Sequence, residues 1–248
     1  MIAIRSEKEI ELIRQSGRIL AAALSLAESR IAAGVVTGEL DEEIAAYIIA
    51  KGGRPAFKGY NGYPANTCIS IDDQVVHGIP GKRAMREGEI VSVDVGVLLN
   101  GYYSDAARTF KVGTVDRTKE RLMQITRESL EKGIAAAVDG NRLSDIGHAI
   151  QSHVEAAGFS VVRDLVGHGI GQAMHEEPQI PNYGVPDQGP RLKTGMVLAI
   201  EPMVNAGSWR VRTLEDQWTV VTADGKPSAH YEHTVAVRKG GAEILTLE

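Results

Sequence analysis

The chain has 248 residues, of which 43% are hydrophobic and 24% are charged, and its formal net charge is −5. This composition excludes a disordered or collagen-like protein, and the single cysteine excludes a disulfide scaffold. The negative charge provides no general attraction to nucleic acid, and no apolar run reaches the roughly 18 residues of a membrane span. The first residues do not resemble a secretory signal, so we expect a cytoplasmic protein.

Two helices are predicted at the start of the chain. Ser6 and Glu9 form a capping box, and the apolar spacing that follows predicts a helix to about residue 32. Thr37 is expected to cap a second helix, which the glycine pair at 52–53 ends. The later predicted elements are a loop over 53–66, strands over 67–76 and 90–99, helices over about 116–138 and 143–157, a strand near 160–165, a glycine-rich loop, and strands near 196–204 and 229–238.

A β-hairpin is the clearest local prediction. The Asn100-Gly101 dipeptide separates two strand-like runs, and Asn-Gly between strands is the strongest short-range hairpin signal. A two-residue loop pairs residue 99 with residue 102, which places Asp94 and Asp105 on one face as diagonal neighbours, about 7–8 Å apart at Cβ. Two carboxylates at this separation repel each other unless a cation lies between them.

A short pattern occurs twice in the chain. Residues 88–94 and 195–201 both run from a glycine through mostly apolar positions to an acid, and a His-x-x-Pro motif precedes each, at His77 and His175. We infer two pseudo-equivalent halves that share one core. They would form a single catalytic domain over 1–248, with halves of about 1–115 and 116–248.

Four acids and one histidine are the candidate metal ligands: Asp94, Asp105, His168, Glu201 and Glu232. Each acid lies among apolar, strand-like neighbours, where an ionised carboxylate is costly unless it is paired or coordinated. Four carboxylates and two divalent cations balance in charge, so the set predicts a dinuclear centre. An oxygen-rich set with one imidazole suits manganese, iron(II), cobalt or zinc.

Plainer interpretations stay open for single residues. The acids could instead face solvent and pair with basic side chains, with Arg108 or Arg212 serving Asp105 or Glu215. The glycines around His168 are expected to let the backbone turn sharply and leave the imidazole accessible, although a lone histidine is more often structural.

Three other residues have both a chemical and a structural interpretation. His77 and His175 could donate a hydrogen bond or move a proton near a metal-bound intermediate, or could be structural. Cys68 could be a nucleophile with His77 as its base, but a lone buried cysteine is more often a small hydrophobe. His230 and His233 flank Glu232 and are interpreted as packing or supporting residues.

These motifs together resemble bacterial type I methionine aminopeptidases over nearly the whole chain. The stretches that carry the resemblance are 66–70, 77–80, 93–95, 104–105, 167–171, 175–178, 200–202 and 232–234. The resemblance implies an α+β pita-bread fold, with two pseudo-symmetric αβ halves around a central antiparallel sheet and a dimetal site.

The resemblance also implies a role for each candidate ligand. Asp94 would chelate the first metal, and Asp105 and Glu232 would bridge both metals. His168 and Glu201 would complete the second, with Glu201 also the general base. His77 would contact the substrate or the new amine, and His175 would hydrogen-bond the scissile carbonyl or its oxyanion. The positions that match the methionine pocket are Tyr60, Tyr63, Cys68, Met203 and Trp218, together with Met174, where close relatives often have phenylalanine. Asp72 stands where some relatives have asparagine near a proposed monovalent-cation site.

The implied reaction removes the initiator methionine from nascent polypeptides with a small second residue, by attack of a metal-bridging hydroxide. It requires two divalent cations, drawn from Co²⁺, Mn²⁺, Fe²⁺ and Zn²⁺. The expected partners are nascent N-termini, met transiently at the ribosome, with no direct nucleic-acid recognition, no membrane and a monomeric state. Two alternatives stay open: a proline-specific aminopeptidase or dipeptidase of the same fold, and a non-catalytic binding module of that fold.

Overall fold

Two helix pairs, each followed by strands, make up the fold. The computed structural model describes residues 1–248. The helices are α1 (Glu7–Arg30), α2 (Thr37–Ala50), α3 (Arg117–Ala136) and α4 (Leu143–Ala156). The strands are β1 (Arg54–Pro55), β2 (Cys68–Ile71), β3 (Gln74–Val76), β4 (Ile90–Leu99), β5 (Tyr102–Lys111), β6 (Ser160–Val161), β7 (Gly167–Gly169), β8 (Glu176–Ile180), β9 (Val197–Ile200), β10 (Met203–Asn205), β11 (Val211–Thr213), β12 (Val220–Thr222), β13 (Ser228–His230), β14 (His233–Arg238) and β15 (Gly241–Ile244). None of the four helices is both long enough and apolar enough to cross a bilayer.

The first two helices begin in different ways. At α1 the capping box is present: the Ser6 hydroxyl accepts from the Glu9 amide, and the Glu9 carboxylate accepts from the Ser6 amide. At α2 the predicted cap is wrong, because Val36 is the N-cap residue and no side chain caps the helix. Thr37 instead exchanges hydrogen bonds with the backbone of Gly81, at 3.0 and 3.2 Å. The Thr37 hydroxyl, which the local sequence assigns to helix capping, therefore bonds instead to Gly81, which is distant in sequence.

The predicted hairpin is confirmed. β4 and β5 pair antiparallel, and the connecting Asn100-Gly101 has two positive φ values, 51° and 82°. Asp94 lies opposite Ala107, and Asp105 lies opposite Gly96. Both carboxylates therefore project from the same face. β1 and β2 pair with β4 and complete a four-stranded sheet.

The glycine-rich segment around His168 is a strand, so its prediction as a sharply turning loop is wrong. β7 lies between β8 and β9 in a sheet of order β15-β14-β9-β7-β8. A Cβ at Gly167 would lie 2.4 Å from the Ala199 carbonyl oxygen, and one at Gly169 would lie 2.2 Å from that of Glu177. These glycines permit close backbone approach, and His168 is buried rather than accessible, with 6% exposure.

Each of two long strands predicted in the second half is interrupted and forms two shorter strands. The predicted strand at 196–204 is divided into β9 and β10 at Glu201, and the one at 229–238 into β13 and β14 at Glu232. The prediction that every candidate acid lies within a strand is therefore wrong for Glu201 and Glu232, each of which lies between two strands. The pattern also missed β8, β11, β12 and β15, most of which are short.

The hydrophobic core follows the two helix pairs. One cluster packs α1 and α2 against β2, β4 and β5, and a second packs α3 and α4 against β9, β10 and β14. A third cluster lies between them and includes Tyr63, Cys68, Met174 and Val197. The candidate site residues therefore lie near this third cluster, between the clusters of the two helix pairs.

Candidate metal centre and adjoining pocket

All five predicted ligands line one cavity. The His168 Nε2 atom lies 3.5 Å from Glu201 Oε1 and 3.9 Å from Asp105 Oδ2. Donor atoms of Asp105, His168 and Glu232 lie within 4.8 Å of one another. Asp94 belongs to the same group, since it lines the same cavity and its charge raises the pKa of Asp105, Glu201 and Glu232.

Hydrogen bonds between β5 and residues 232–234 hold the hairpin beside Glu232. The Glu232 amide donates to the Ala107 carbonyl oxygen at 2.9 Å. The Thr234 hydroxyl accepts from the Asp105 amide at 2.9 Å and donates to the Asp105 carbonyl oxygen at 2.8 Å. The relative position of the two acids therefore depends on backbone contacts and not on the carboxylates themselves.

Four buried polar atoms at this centre have no hydrogen-bond partner: Asp94 Oδ1, Asp105 Oδ1, Glu232 Oε1 and His230 Nε2. Buried polar atoms without a partner are rare, and each is costly. No lysine or arginine pairs with any of the four acids, so the salt-bridge interpretation that invoked Arg108 does not hold. Unpartnered carboxylate oxygens beside a neutral imidazole fit divalent cations of the first transition row.

Burial sets the protonation of these groups in the absence of a cation. It raises the pKa of Asp94 to about 7 and raises the pKa of Glu201 well above its usual value. Burial and the charges of Glu232 and Asp94 have the same effect on the pKa of Asp105. Burial lowers the pKa of His168 to about 3, so its imidazole is neutral. Its Nδ1 lies 2.9 Å from the Gly169 carbonyl oxygen, which places the proton there and directs the Nε2 lone pair at the acids.

His77 and His175 both line the cavity beside the centre. The His175 ring lies 4.1 Å from the His168 ring between centroids, and its Nδ1 lies 2.8 Å from the Tyr60 hydroxyl. His77 has a φ of 59°, an uncommon conformation for a residue other than glycine. Burial lowers the pKa of both histidines. Neutral imidazoles at this position can donate or accept one proton.

Aromatic side chains form one wall of the same cavity. The cavity has a volume of about 190 Å³, and Tyr60, Tyr63, Cys68 and Trp218 line it. The Tyr63 and Trp218 rings meet edge to face, with centroids 5.1 Å apart. Sequence reasoning missed Phe57, which also lines this wall. A larger groove of about 800 Å³ lies elsewhere, between β5 and α3, and holds none of the predicted ligands.

The structure does not place the two predicted pocket methionines on the cavity wall. Met174 is 1% exposed and packs in the cluster behind the wall, beside Gly96 of the hairpin. Met203 is fully buried among Val75, Val162 and Val220. Met174 therefore packs in the same cluster as Tyr63 and Cys68, whereas Met203 lies in a separate cluster.

His230, interpreted from the sequence as a packing or supporting residue, lies beside the acids of the centre. Its Nε2 lies 3.8 Å from Glu201 Oε2 and 4.0 Å from Glu232 Oε2. Strand alternation could not predict this placement, because β13 ends at His230 and Glu232 lies before the next strand. Asp72, by contrast, is engaged outside the centre, where its carboxylate accepts from the Lys119 ammonium and the Ile90 amide at 2.7 and 3.0 Å.

Comparison with known proteins agrees with this geometry. Residues 11–239 match the profile of metallopeptidase family M24. The methionine aminopeptidase of Clostridium perfringens is 56% identical over 247 residues, covering 100% of this chain and 99% of that protein. Methionine aminopeptidase 1 of Bacillus subtilis is 51% identical over 246 residues, covering 99% of each. The crystal structure of the Thermotoga maritima methionine aminopeptidase superposes with a TM-score of 0.99 at 48% identity, covering 100% of both chains.

The chain therefore belongs to metallopeptidase family M24, and its fold is the pita-bread fold of that family. Within the family, full-length similarity groups it with the bacterial type I methionine aminopeptidases.

Proposed function

We propose that this protein removes the initiator methionine from nascent polypeptides whose second residue is small. The observation that carries the proposal is the juxtaposition of two features in one cavity. Unpartnered carboxylate oxygens and a small aromatic pocket that includes Cys68 line the same cavity. A methionyl side chain held in the pocket would bring its own carbonyl to the acids.

Asp94, Asp105, His168, Glu201 and Glu232 would hold two divalent cations, with Asp105 and Glu232 shared between them. Such cations supply Lewis acidity and lower the pKa of water at the site. The donor set of four carboxylates and one neutral imidazole supports Mn²⁺, Fe²⁺, Co²⁺ or Zn²⁺. The net charge of the four carboxylates supports two ions rather than one.

The chain's own groups would then move the protons. Glu201 would act as the general base, and the approach of its carboxylate to His168 supports this role. His175 uses Nδ1 toward Tyr60, which leaves Nε2 to donate to the scissile carbonyl oxygen as negative charge develops there. His77 would contact the substrate or the new amine, since it lines the cavity beside Trp218, with ring centroids 6.4 Å apart.

The pocket would select the methionyl side chain by shape and apolarity. Tyr60, Tyr63, Cys68 and Trp218 would contact it directly, because they line the cavity. Met174 would support this wall from the core, and Met203 would act on the pocket only indirectly, through its own cluster. A volume of about 190 Å³ suits one side chain rather than an extended peptide, which supports cleavage at a chain terminus only.

The proposal also covers the molecule's setting. The two halves, about 1–115 and 116–248, would act as one catalytic domain, since the candidate ligands come from both. The enzyme would act as a monomer in the cytoplasm on nascent N-termini, in transient contact with the ribosome. A net charge of −5 supports contact without direct recognition of nucleic acid.

Release of methionine from the peptide Met-Ala-Ser tests this function, with Ala-Pro peptides as the matched alternative. We expect cleavage of Met-Ala-Ser and little cleavage of Ala-Pro, in protein that contains close to two metal ions per chain. Preferential cleavage of Ala-Pro would instead identify a proline-specific peptidase. Bound metal without hydrolysis of either peptide would identify a binding module.

A further inference from the structure

A short bend carries His175 into the cavity. Residues 170–175 connect β7 to β8, the bend spans 171–175, and Met174 and His175 are its last two residues. The bend contacts the hairpin at two points: the Tyr103 amide donates to the Gly171 carbonyl oxygen at 2.8 Å, and the Gln172 side-chain amide donates to the Tyr102 hydroxyl at 3.3 Å. The position of the imidazole therefore depends on what holds these five residues.

The Glu176 carboxylate holds the bend from below. Its Oε1 accepts hydrogen bonds from the Gln172 and Ala173 amides at 2.8 and 3.0 Å. The carboxylate thereby satisfies two amides that no strand or helix would satisfy. It follows that the geometry of the bend depends on the orientation of this one side chain, which is adjacent in sequence to His175.

Arg5 in turn orients Glu176. Its Nη2 donates to Glu176 Oε1 at 2.6 Å and also contacts Oε2, and the Arg5 side chain is only 9% exposed. The Arg5 backbone is anchored separately, since its amide donates to the Gly195 carbonyl oxygen at 2.8 Å. A charge-assisted contact from one buried guanidinium nitrogen to both carboxylate oxygens holds the Glu176 carboxylate beside Arg5.

The chain leaves room for this guanidinium. A Cβ at Gly171 would lie 2.5 Å from Arg5 Nη2, and a Cβ at Gly195 would lie 2.8 Å from the Arg5 carbonyl oxygen. The third glycine of the Gly-x-Gly-x-Gly stretch is therefore explained by Arg5 and not by a turn. Gly171 thus accommodates the Arg5 side chain, and Gly195 accommodates the Arg5 backbone.

We propose that Arg5 is a positioning residue for His175 and acts on it through Glu176 and the bend. The inference rests on the proposed function insofar as His175 contacts the substrate. Loss of Arg5 would leave the Glu176 carboxylate free to rotate, so the two amides and the bend would shift. Because small displacements of a reacting group reduce turnover strongly, we expect R5A to lower kcat by about 10- to 100-fold with little change in KM.

A double-mutant cycle tests the route of this effect. The variants are R5A, H175A and R5A/H175A, and R14A is the matched control because Arg14 pairs with Glu243 instead. We expect R5A to have less than about a twofold effect on kcat in the H175A background, since residues that act through one group are not additive. Equal losses in both backgrounds, or loss of bound metal in R5A, would overturn the proposal.

A second readout does not depend on turnover. The His175 ring Cε1–H resonance, identified by its absence in H175A, should shift or broaden in R5A and stay unchanged in R14A. R5K should restore most of kcat, because it restores the charge. E176Q keeps the side-chain size but loses the ion pair, so it should reproduce R5A and add little to it, which covers the case in which R5A folds poorly. An unmoved resonance would overturn the proposal, whereas a wild type without methionine release would overturn only the proposed function.

Discussion

The two halves of the candidate centre hold their ligands by different means. Asp94 and Asp105 project from one regular hairpin, whose strands pair without interruption across the site. Glu201 and Glu232 lie at breaks between strands, and His168 lies in a three-residue strand that its neighbours define. Local pairing fixes the first pair of ligands, whereas backbone contacts between distant segments fix the other three.

This difference indicates distinct roles for the two parts of the centre. The hairpin offers a rigid pair of carboxylates whose separation does not depend on the rest of the molecule. The second half positions groups that contact a substrate. It does so through the hydrogen bonds between Thr234 and the Asp105 backbone, and through the bend that carries His175. We expect substitutions of the ligands in either half to act on metal binding, and substitutions of His175 and of the bend that carries it to act on the reaction.

The largest effect is expected on the hairpin side. Asp105→Asn should abolish turnover and leave the fold largely intact, because an amide has no charge with which to bridge two cations. The measurement is peptide hydrolysis in saturating Mn²⁺ or Co²⁺, with D187N as a control, since Asp187 is exposed on the surface. Near-normal activity of D105N would contradict the dinuclear account.

On the other side, His175→Ala should lower turnover by about two to three orders of magnitude, the usual loss for one transition-state donor. Bound metal should be unchanged, because His175 contacts Tyr60 and not the acids. Elemental analysis beside steady-state kinetics checks both statements. Stoichiometric loss of metal would show that His175 is a ligand, and would remove the proposed division between the halves.

Cys68 offers a smaller effect and separates two mechanisms. Burial raises the pKa of its thiol well above the usual value, so the thiolate that a nucleophile requires is disfavoured. Cys68→Ser should therefore keep turnover, with the damage mostly in KM, while Cys68→Trp should fail by filling the pocket. An inactive serine variant, with a trapped acyl-enzyme in the wild type, would support a thiol mechanism instead.

Metal binding should release protons at pH 7. In the metal-free protein, burial raises the carboxyl pKa values, so these groups retain protons that a cation must displace. His168 contributes none, because its lowered pKa keeps it neutral at pH 7. Titration calorimetry in two buffers of different ionisation enthalpy should show proton release that falls as pH rises. Release that grows with pH would contradict the assigned directions.

The smallest effect concerns the hairpin loop. Gly101 has a φ of 82°, and a Cβ there would meet nothing within 4 Å, so Gly101→Ala adds only backbone strain. We expect the free energy of unfolding to fall by about 1–2 kcal/mol with kcat unchanged. Gly140→Ala, at a φ of 98° with equally open space, is the matched control. A clear loss of turnover in G101A alone would show that the hairpin is less rigid than proposed.

The same division explains what the sequence could predict. The hairpin and its register follow from Asn100-Gly101 and strand alternation, which are local signals. The strand at His168 could not be predicted, because three residues with two glycines form a strand only where neighbouring backbones approach closely. The cap at Thr37 failed for the same reason, since Gly81 is distant in sequence.

The sequence likewise predicted the candidate site only in part. The acids could be selected because carboxylates among apolar residues need a partner, and the resemblance assigned their roles. His230 was undervalued, because nothing local shows that its Nε2 would face Glu201. Arg5 was not considered at all, since only the folded chain brings it to Glu176.

Metal dependence of methionine release tests the central claim most directly. The measurement is hydrolysis of Met-Ala-Ser by the wild-type protein as purified, after a strong chelator, and after Mn²⁺ or Co²⁺ is added back, with bound metal counted at each stage. We expect turnover to vanish with the chelator and to return as bound metal approaches two ions per chain. Turnover that resists the chelator, with no metal bound, would contradict the account.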